Sequence, residues 1–160
     1  MQEPVAYAKV APATIVAMPA LDQYVTQSGL EPALLDLVKI RVSQLDGCAY
    51  RIDMHTKDAR ARGESEQRLY ALPVWHQTPF FTERERAALA WTEVITLLSG
   101  HRVTDELYQG PRLHFGEKQL VDLTMAIIAM NGWNRLSVAF RTVPGTYRPA
   151  AHREPAVAVT

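Results

Sequence analysis

Helix-starting and helix-ending residues divide this chain into short segments whose apolar residues have helical spacing. The clearest start is Thr82–Glu85, where a threonine is followed three residues later by a glutamate, the pattern of a capping box. Ser28–Gly29, Asp46–Gly47 and Gly63 end three of the segments, because glycine readily adopts the backbone conformation that follows a helix. No alternating strand pattern of any length occurs. We therefore predict an all-α fold, an antiparallel helical bundle.

The segment bounds give the predicted helices and the domain organisation. The final helix is apolar on most sides, which is typical of a central helix or of one in a subunit interface. Residues 1–143 are predicted to form one domain, and residues 144–160 a flexible tail or an arm that wraps a neighbouring subunit. A loop is expected at 73–80, and a turn or two of helix after 104 that ends at Gly110–Pro111. The predicted helices are 12–27, 31–45, 48–62, 66–72, 82–98 and 116–141.

The composition limits the classes of protein to which the chain can belong. With 160 residues, 48% of them apolar, the chain suits a single domain with a proper core. Its 17 basic and 17 acidic residues balance, which removes the basic footprint of a nucleic-acid binder and eases self-association. No signal peptide is expected, and the longest apolar run, 123–130, is too short to span a membrane. A single cysteine fits a reducing compartment, so we predict a cytoplasmic protein.

The only cysteine, Cys48, carries the strongest chemical signal. It opens a predicted helix, where backbone N–H groups favour the thiolate over the thiol. At about 100° per residue, Arg51 lies about 60° and His55 about 20° from Cys48 around that helix, so the three share one face. An activated cysteine near a histidine suits a peroxide-reducing or thiol-exchange site. A free cysteine also often serves as a small buried hydrophobe, and the residues alone leave both interpretations open. No spacing of histidines predicts a metal site, and no cofactor is predicted.

A longer stretch around this cysteine resembles a known family. The segment 37–60, LVKIRVSQLDGCAYRIDMHTKDAR, resembles the signature of the AhpD-like alkylhydroperoxidases, within the carboxymuconolactone decarboxylase superfamily. In that pattern a carboxylate is followed twelve residues later by C-x-x-C-x-x-x-H. Asp36 stands where the family usually has glutamate, Cys48 matches the first cysteine and His55 matches the histidine. The likeness continues through WHQTPFFTERERAALAW and HFGEKQLVDLTMAIIAMNGWNRLSVAFR, to about Arg141.

The resemblance implies an all-α fold, assembly into trimers or hexamers, and a thiol peroxidase mechanism. In the family, the second cysteine attacks the peroxide and becomes a sulfenic acid. The first cysteine resolves it as a disulfide, which an external thiol or dithiol reductant reopens. The histidine and the carboxylate relay the proton, which assigns His55 and Asp36 to that role here.

The sequence departs from the pattern at position 51, where arginine replaces the second cysteine. Three functions stay open. Cys48 could act as a one-cysteine peroxidase whose thiolate is stabilised by Arg51, or the chain could be a non-catalytic scaffold or binding protein. Alternatively, His55 and Asp36 could form the acid–base pair of a decarboxylase-like enzyme, with Arg51 anchoring a substrate carboxylate. The family places positions 36 and 51 in one site, and a buried guanidinium needs a partner, so the resemblance implies an Arg51–Asp36 ion pair.

Overall fold

The structure, a computed structural model, describes residues 5–100 and 102–149. Within these residues the chain forms α-helices and one 3-10 segment, and no strand. None of the helices in the described ranges is long and apolar enough to cross a membrane. The helices are α1 Tyr7–Val10, α2 Thr14–Thr26, α3 Pro32–Leu45, α4 Ala49–Ala61, α5 Glu66–Ala71, α6 Glu83–Thr96, α7 Asp105–Arg112 and α8 Glu117–Ala139, with the 3-10 segment Leu72–Gln77 between α5 and α6.

The all-α prediction is confirmed, and six predicted helices lie within two residues of their expected bounds. Local capping explains this agreement. The Thr82 hydroxyl accepts a hydrogen bond from the Glu85 backbone N–H at 3.3 Å, and the Glu85 carboxylate accepts one from the Thr82 N–H at 2.8 Å. Ser65 caps α5 in the same way by accepting from the Arg68 N–H. Such bonds satisfy N–H groups that a helix start would otherwise leave unpaired.

Two local predictions were wrong. The expected loop at 73–80 begins as a 3-10 segment with a kink at Val74, and Leu72 and Trp75 on either side of that kink are both buried. Helix α7 runs through Gly110–Pro111 instead of ending there. A residue before proline avoids the helical conformation because its Cβ and N–H meet the ring, and Gly110 has no Cβ to clash.

Helix α3 is the centre of the bundle. It packs against α4, α6 and α8, and Leu37, Val38, Ile40 and Val42 are fully buried. One apolar cluster joins α3 to α2, α6 and α8, and a second joins α3 to α4, α5, α6 and the 3-10 segment. Burial on two sides holds α3 firmly in the bundle. The tight turn that follows α3 therefore fixes the position of the start of α4.

Helix α8 has one buried side and one exposed apolar face. Trp133 lies on the buried side, whereas Val121, Ile128 and Val138 are exposed. The predicted role of α8 in the core is confirmed. Self-assembly through its exposed face stays a prediction.

After α8 the chain folds back over α4. The Gly145 N–H donates to an Asp53 carboxylate oxygen at 3.0 Å, and the Tyr147 hydroxyl donates to Asp58 Oδ1 at 2.7 Å. Lys57 Nζ also donates to the Tyr147 carbonyl oxygen, at 3.4 Å. The start of the predicted tail, 144–149, therefore lies on α4 of its own chain. Residues 150–160 of that tail lie outside the described residues.

Candidate active site

Cys48 is the N-cap residue of α4, as its place in the sequence predicted. Its backbone is extended, with φ −90° and ψ 92°. Its N–H donates to the Ser43 carbonyl at 2.9 Å, and its carbonyl accepts from the Ile52 N–H at 3.0 Å. The preceding Gly47 has φ 67°, a left-handed conformation that favours glycine. The cysteine is only 1% exposed. The fold thus fixes a free, buried thiol at the positive end of a helix.

Arg51 lies one turn further along α4 and is also buried, at 9% exposure. Its guanidinium carbon is 4.6 Å from the centre of the Trp133 ring and 5.4 Å from that of Tyr50. Its Nη1 donates to the Met54 sulfur at 3.7 Å, and its Nε has no hydrogen-bond partner. No carboxylate of the described residues forms an ion pair with it. Its neighbours are therefore aromatic rings and a thioether.

These neighbours compensate only part of the cost of burying Arg51. Taking an unpaired charge out of water costs several kcal/mol, and a cation–π contact returns about 1 to 2 kcal/mol. A thioether sulfur is a weak hydrogen-bond acceptor. The guanidinium is therefore held at a net cost in stability, with donor capacity that no protein group uses.

His55 lies one further turn along the same face and is 5% exposed. Its Nδ1 is 3.9 Å from Asp58 Oδ2, and its Nε2 has no hydrogen-bond partner. Burial, followed by the positive charges of Lys39, Arg51 and Arg62, lowers the pKa of His55 to about 3. The imidazole is therefore neutral near pH 7 and is a weak proton acceptor.

Asp36 pairs with Arg62, not with Arg51, so the predicted Arg51–Asp36 ion pair is wrong. Asp36 is 4% exposed, and its two oxygens accept from Arg62 Nε at 2.7 Å and from Arg62 Nη2 at 2.5 Å. Donating these hydrogen bonds to Asp36 raises the pKa of the Arg62 guanidinium. Both carboxylate oxygens are thus occupied by one bidentate pair.

The helical hairpin explains this pairing. Asp36 lies ten residues before the turn residue Asp46, which is roughly 15 Å along α3, whereas Arg51 lies roughly 5 Å into α4. A residue at the far end of α4 therefore meets Asp36, and Arg62 follows the last residue of that helix. Equal distance from the Asp46–Gly47 turn would have pointed to a residue about one turn before Arg62, so spacing excludes Arg51 but does not by itself identify Arg62.

Two more residues near the site were absent from the sequence prediction. Trp133 comes from α8, far away in the sequence, and no local pattern connects it with Arg51. Lys39 lies one turn after Asp36 on α3, is half-buried and forms no ion pair within the described ranges. It is one of the charges that lower the pKa of His55.

The structure therefore places Cys48, Arg51 and His55 on one buried face of α4 and holds Asp36 in a separate ion pair. The catalytic roles assigned to these four residues stay predictions. Among the described residues, no group of three or more His, Cys, Asp or Glu side chains is arranged to hold a metal ion.

Known proteins are similar to this chain in both sequence and fold. Residues 12–94 match the carboxymuconolactone decarboxylase family. The uncharacterized protein YdfG of Bacillus subtilis (strain 168) is 46% identical over 139 residues, 87% of this chain and 95% of that protein. A crystal structure of a protein of unknown function from Agrobacterium tumefaciens, described as a putative antioxidant defence protein AhpD, has a TM-score of 0.88 and 38% identity, covering 91% of this chain and all of that one.

A more distant structure has the same fold. The debrominase Bmp8, in a complex with 2,3,4-tribromopyrrole, has a TM-score of 0.77 at 18% identity, covering 86% of this chain and 74% of its own. At that identity the likeness concerns the fold alone. Together with the family match over more than half of the sequence, these likenesses establish that the chain belongs to the carboxymuconolactone decarboxylase family and has an AhpD-like helical fold.

Proposed function

We propose that the chain is an AhpD-type antioxidant peroxidase that reduces hydroperoxides with Cys48 as its sole redox thiol. The observation that supports this most directly is a free thiol at the N-terminus of α4, one turn before a buried guanidinium that forms no ion pair with any described residue. Reactive cysteines typically have a helix N-terminus or a cation in their surroundings. Membership of a family that contains AhpD-like proteins adds to this support.

The proposed reaction balances with one cysteine and an external thiol. The Cys48 thiolate attacks one peroxide oxygen, the O–O bond breaks, and the departing alkoxide takes up a proton to leave as the alcohol. The sulfur is now a sulfenic acid. A first external thiol condenses with it, releasing water and forming a mixed disulfide. A second external thiol attacks that disulfide, so Cys48 returns to the thiol and the external disulfide departs.

Arg51 and His55 have different parts in this proposal. The guanidinium stabilises the thiolate and then the negative charge that develops on the leaving oxygen. His55 has a pKa of about 3, so it acts as a hydrogen-bonding group and not as a store for a proton. Because the reductant is an external thiol, the proposal places the reaction in a reducing compartment such as the cytoplasm. Assembly of the chain with itself, through the exposed face of α8, is part of the same proposal.

A decarboxylase-like role for His55 and Asp36 has less support. An acid–base pair needs one group whose pKa is close to the working pH and a free partner for it. Here His55 is a weak base, and both oxygens of Asp36 are bound by Arg62. A substrate proton would have no effective acceptor among these two residues.

The test is hydroperoxide consumption in the presence of excess dithiothreitol. The chain should consume cumene hydroperoxide, and Cys48→Ser should reduce the rate to that of the solution without protein. Arg60→Ala is the matched control, because Arg60 lies on an exposed part of α4 and should leave the rate unchanged. Dimedone should label Cys48 after exposure to peroxide, as detected by mass spectrometry.

Two outcomes would refute the proposal. Equal rates for the chain and Cys48→Ser would show that the thiol takes no part. An inactive chain with an active Arg51→Cys variant would show a two-cysteine scaffold that lacks its nucleophile, and the non-catalytic alternative would then hold.

A further inference from the structure

The buried face of α4 carries polar groups that the protein itself does not use. The Nε of Arg51 has no partner, and neither has Nε2 of His55 four residues later. Residues four apart on a helix are neighbours on its surface. More than nine-tenths of each residue is buried, so water does not readily replace the missing partners. Two unused polar groups therefore lie side by side, on the same face as the Cys48 thiol.

The guanidinium has donors that its contacts do not use. Its carbon lies 4.6 Å from the centre of the Trp133 ring, and its Nη1 donates to the Met54 sulfur. The N–H donors of a guanidinium lie in its plane and point outward in a fork that matches a carboxylate. The unpartnered Nε therefore stays available for a hydrogen bond.

The charges around the site are not cancelled. Lys39 on α3 has no ionic partner among the described residues, whereas the half-buried Arg41 and Lys57 are paired with Glu93 and Asp53. The acids nearest the site form no ion pair with Arg51. Asp36 is paired with Arg62, and Asp58 accepts a hydrogen bond from the Tyr147 hydroxyl and keeps its charge, 3.9 Å from His55.

We propose that Arg51 binds a substrate carboxylate on the face of α4 that also carries Cys48 and His55, with Lys39 adding positive charge. The inference rests on the proposed function and specifies its substrate class, which is hydroperoxides that carry a carboxylate. Arg51 binds the carboxylate through its unused donors, and the peroxide group of the same molecule reaches the sulfur. A neutral hydroperoxide lacks this anchor and reacts more slowly.

The test compares two alkylating reagents that differ in charge. Iodoacetate carries a carboxylate and iodoacetamide a neutral amide, and with either reagent the Cys48 sulfur forms a bond to carbon as iodide leaves. Because Cys48 is the only cysteine, the alkylation rate reports on one sulfur. The iodoacetate-to-iodoacetamide rate ratio should fall by about 10-fold in Arg51→Met, and Arg51→Lys should retain part of it. A change in thiolate content affects both reagents equally and cancels in the ratio.

The control is Arg60→Met, which removes an exposed arginine from the same helix and should leave the ratio unchanged. An equal ratio in the unmodified chain and Arg51→Met would overturn the inference. If neither reagent reaches the buried sulfur, the melting temperature of the protein tests carboxylate binding instead. Acetate should raise the melting temperature of the unmodified chain relative to acetamide at equal ionic strength, but not that of Arg51→Met. The absence of that shift would equally overturn the inference.

This experiment separates the two proposals because alkylation and melting need no peroxide. An Arg51-dependent ratio in a chain that consumes no hydroperoxide would support the carboxylate site and refute the peroxidase. Peroxide consumption through Cys48 with an unchanged ratio would support the peroxidase and refute the carboxylate site.

Discussion

An arginine stands near each end of α4, and the two arginines have opposite surroundings. At the C-terminal end Arg62 makes a bidentate pair with Asp36, beside a cleft of about 310 Å³ whose other charged residues, Glu64, Arg68 and Glu85, are also paired. At the N-terminal end Arg51 is more deeply buried, at 9% exposure, and meets Trp133 instead of an acid. The more costly position therefore has the poorer partner.

This difference separates an arginine whose charge is met within the protein from one that we propose binds a substrate group. A paired charge has its electrostatic demand met within the protein and joins α3 to α4. An unpaired buried charge lowers stability unless something from outside completes it. Burial and partners both separate the two arginines: Arg51 is buried without an ion-pair partner among the described residues, whereas Arg62 is partly exposed and paired with Asp36. Mutations and pH should therefore affect the two ends with different signs.

The largest expected effect is the loss of stability on acidification that His55 causes. Its pKa is about 3 in the folded state and about 6.5 in the unfolded chain, so between these values only the unfolded state binds the proton. The free energy of unfolding therefore has its full value with respect to His55 above about pH 6.5. It decreases as the pH falls towards 3, by about 4 kcal/mol in total. Urea unfolding at a series of pH values measures it.

His55→Leu should flatten the slope between pH 6.5 and 5, a window above the range in which carboxylates titrate. His76→Ala is the control, because this exposed histidine should leave the slope unchanged. A slope that persists in His55→Leu would show that another group carries the acid sensitivity, and the neutral, buried state of His55 would be wrong.

The second effect concerns the paired end. Asp36→Asn removes the charge that Arg62 needs and should lower the free energy of unfolding by about 2 kcal/mol. The value is at the low end for a broken buried pair, because the Arg62 side chain is 43% exposed and can regain water. Glu66→Gln breaks the exposed pair with Arg60 and should cost about 0.5 kcal/mol or less. Equal costs in urea unfolding would remove the distinction between buried and exposed pairs.

The smallest effect has the opposite sign. Arg51→Met replaces the unpaired guanidinium with an apolar side chain of similar length that can pack on Trp133, and should raise the free energy of unfolding by about 1 kcal/mol. Arg62→Met should lower it. Thermal or urea unfolding of both variants measures the two changes in the free energy of unfolding. A loss of stability in Arg51→Met would mean that Arg51 is as structural as Arg62, and the comparison of the two ends would fail.

The helices were predictable because their signals are local. The capping box at Thr82, the proline in the first turn of α3 and the glycines after α3 and α4 act within a few residues of each helix end. The position of Cys48 at the start of α4 follows from the same signals. The family was equally accessible, because its pattern extends along most of the chain.

The partners of the site residues were not predictable in this way, because they depend on contacts between distant segments. Arg62 reaches Asp36 across 26 positions, and Tyr147 reaches Asp58 across 89. Trp133 lies under Arg51 only because α8 packs against α4. The hairpin geometry of α3 and α4 limits the first of these contacts to the far end of α4, and no sequence rule would have given the other two.

The backbone segment that lies over α4 has a consequence for how the protein is made. Asp53 and Asp58 leave the ribosome about 90 residues before Gly145 and Tyr147 do, so α4 is synthesised well before its last partners exist. In the finished fold one oxygen of Asp58 accepts from Tyr147, while the other lies 3.9 Å from His55. A C-terminally clipped chain therefore leaves Asp58 without one of the contacts that fix its position. The last residues of the described chain thus help to set the distance between this acid and the Arg51 face.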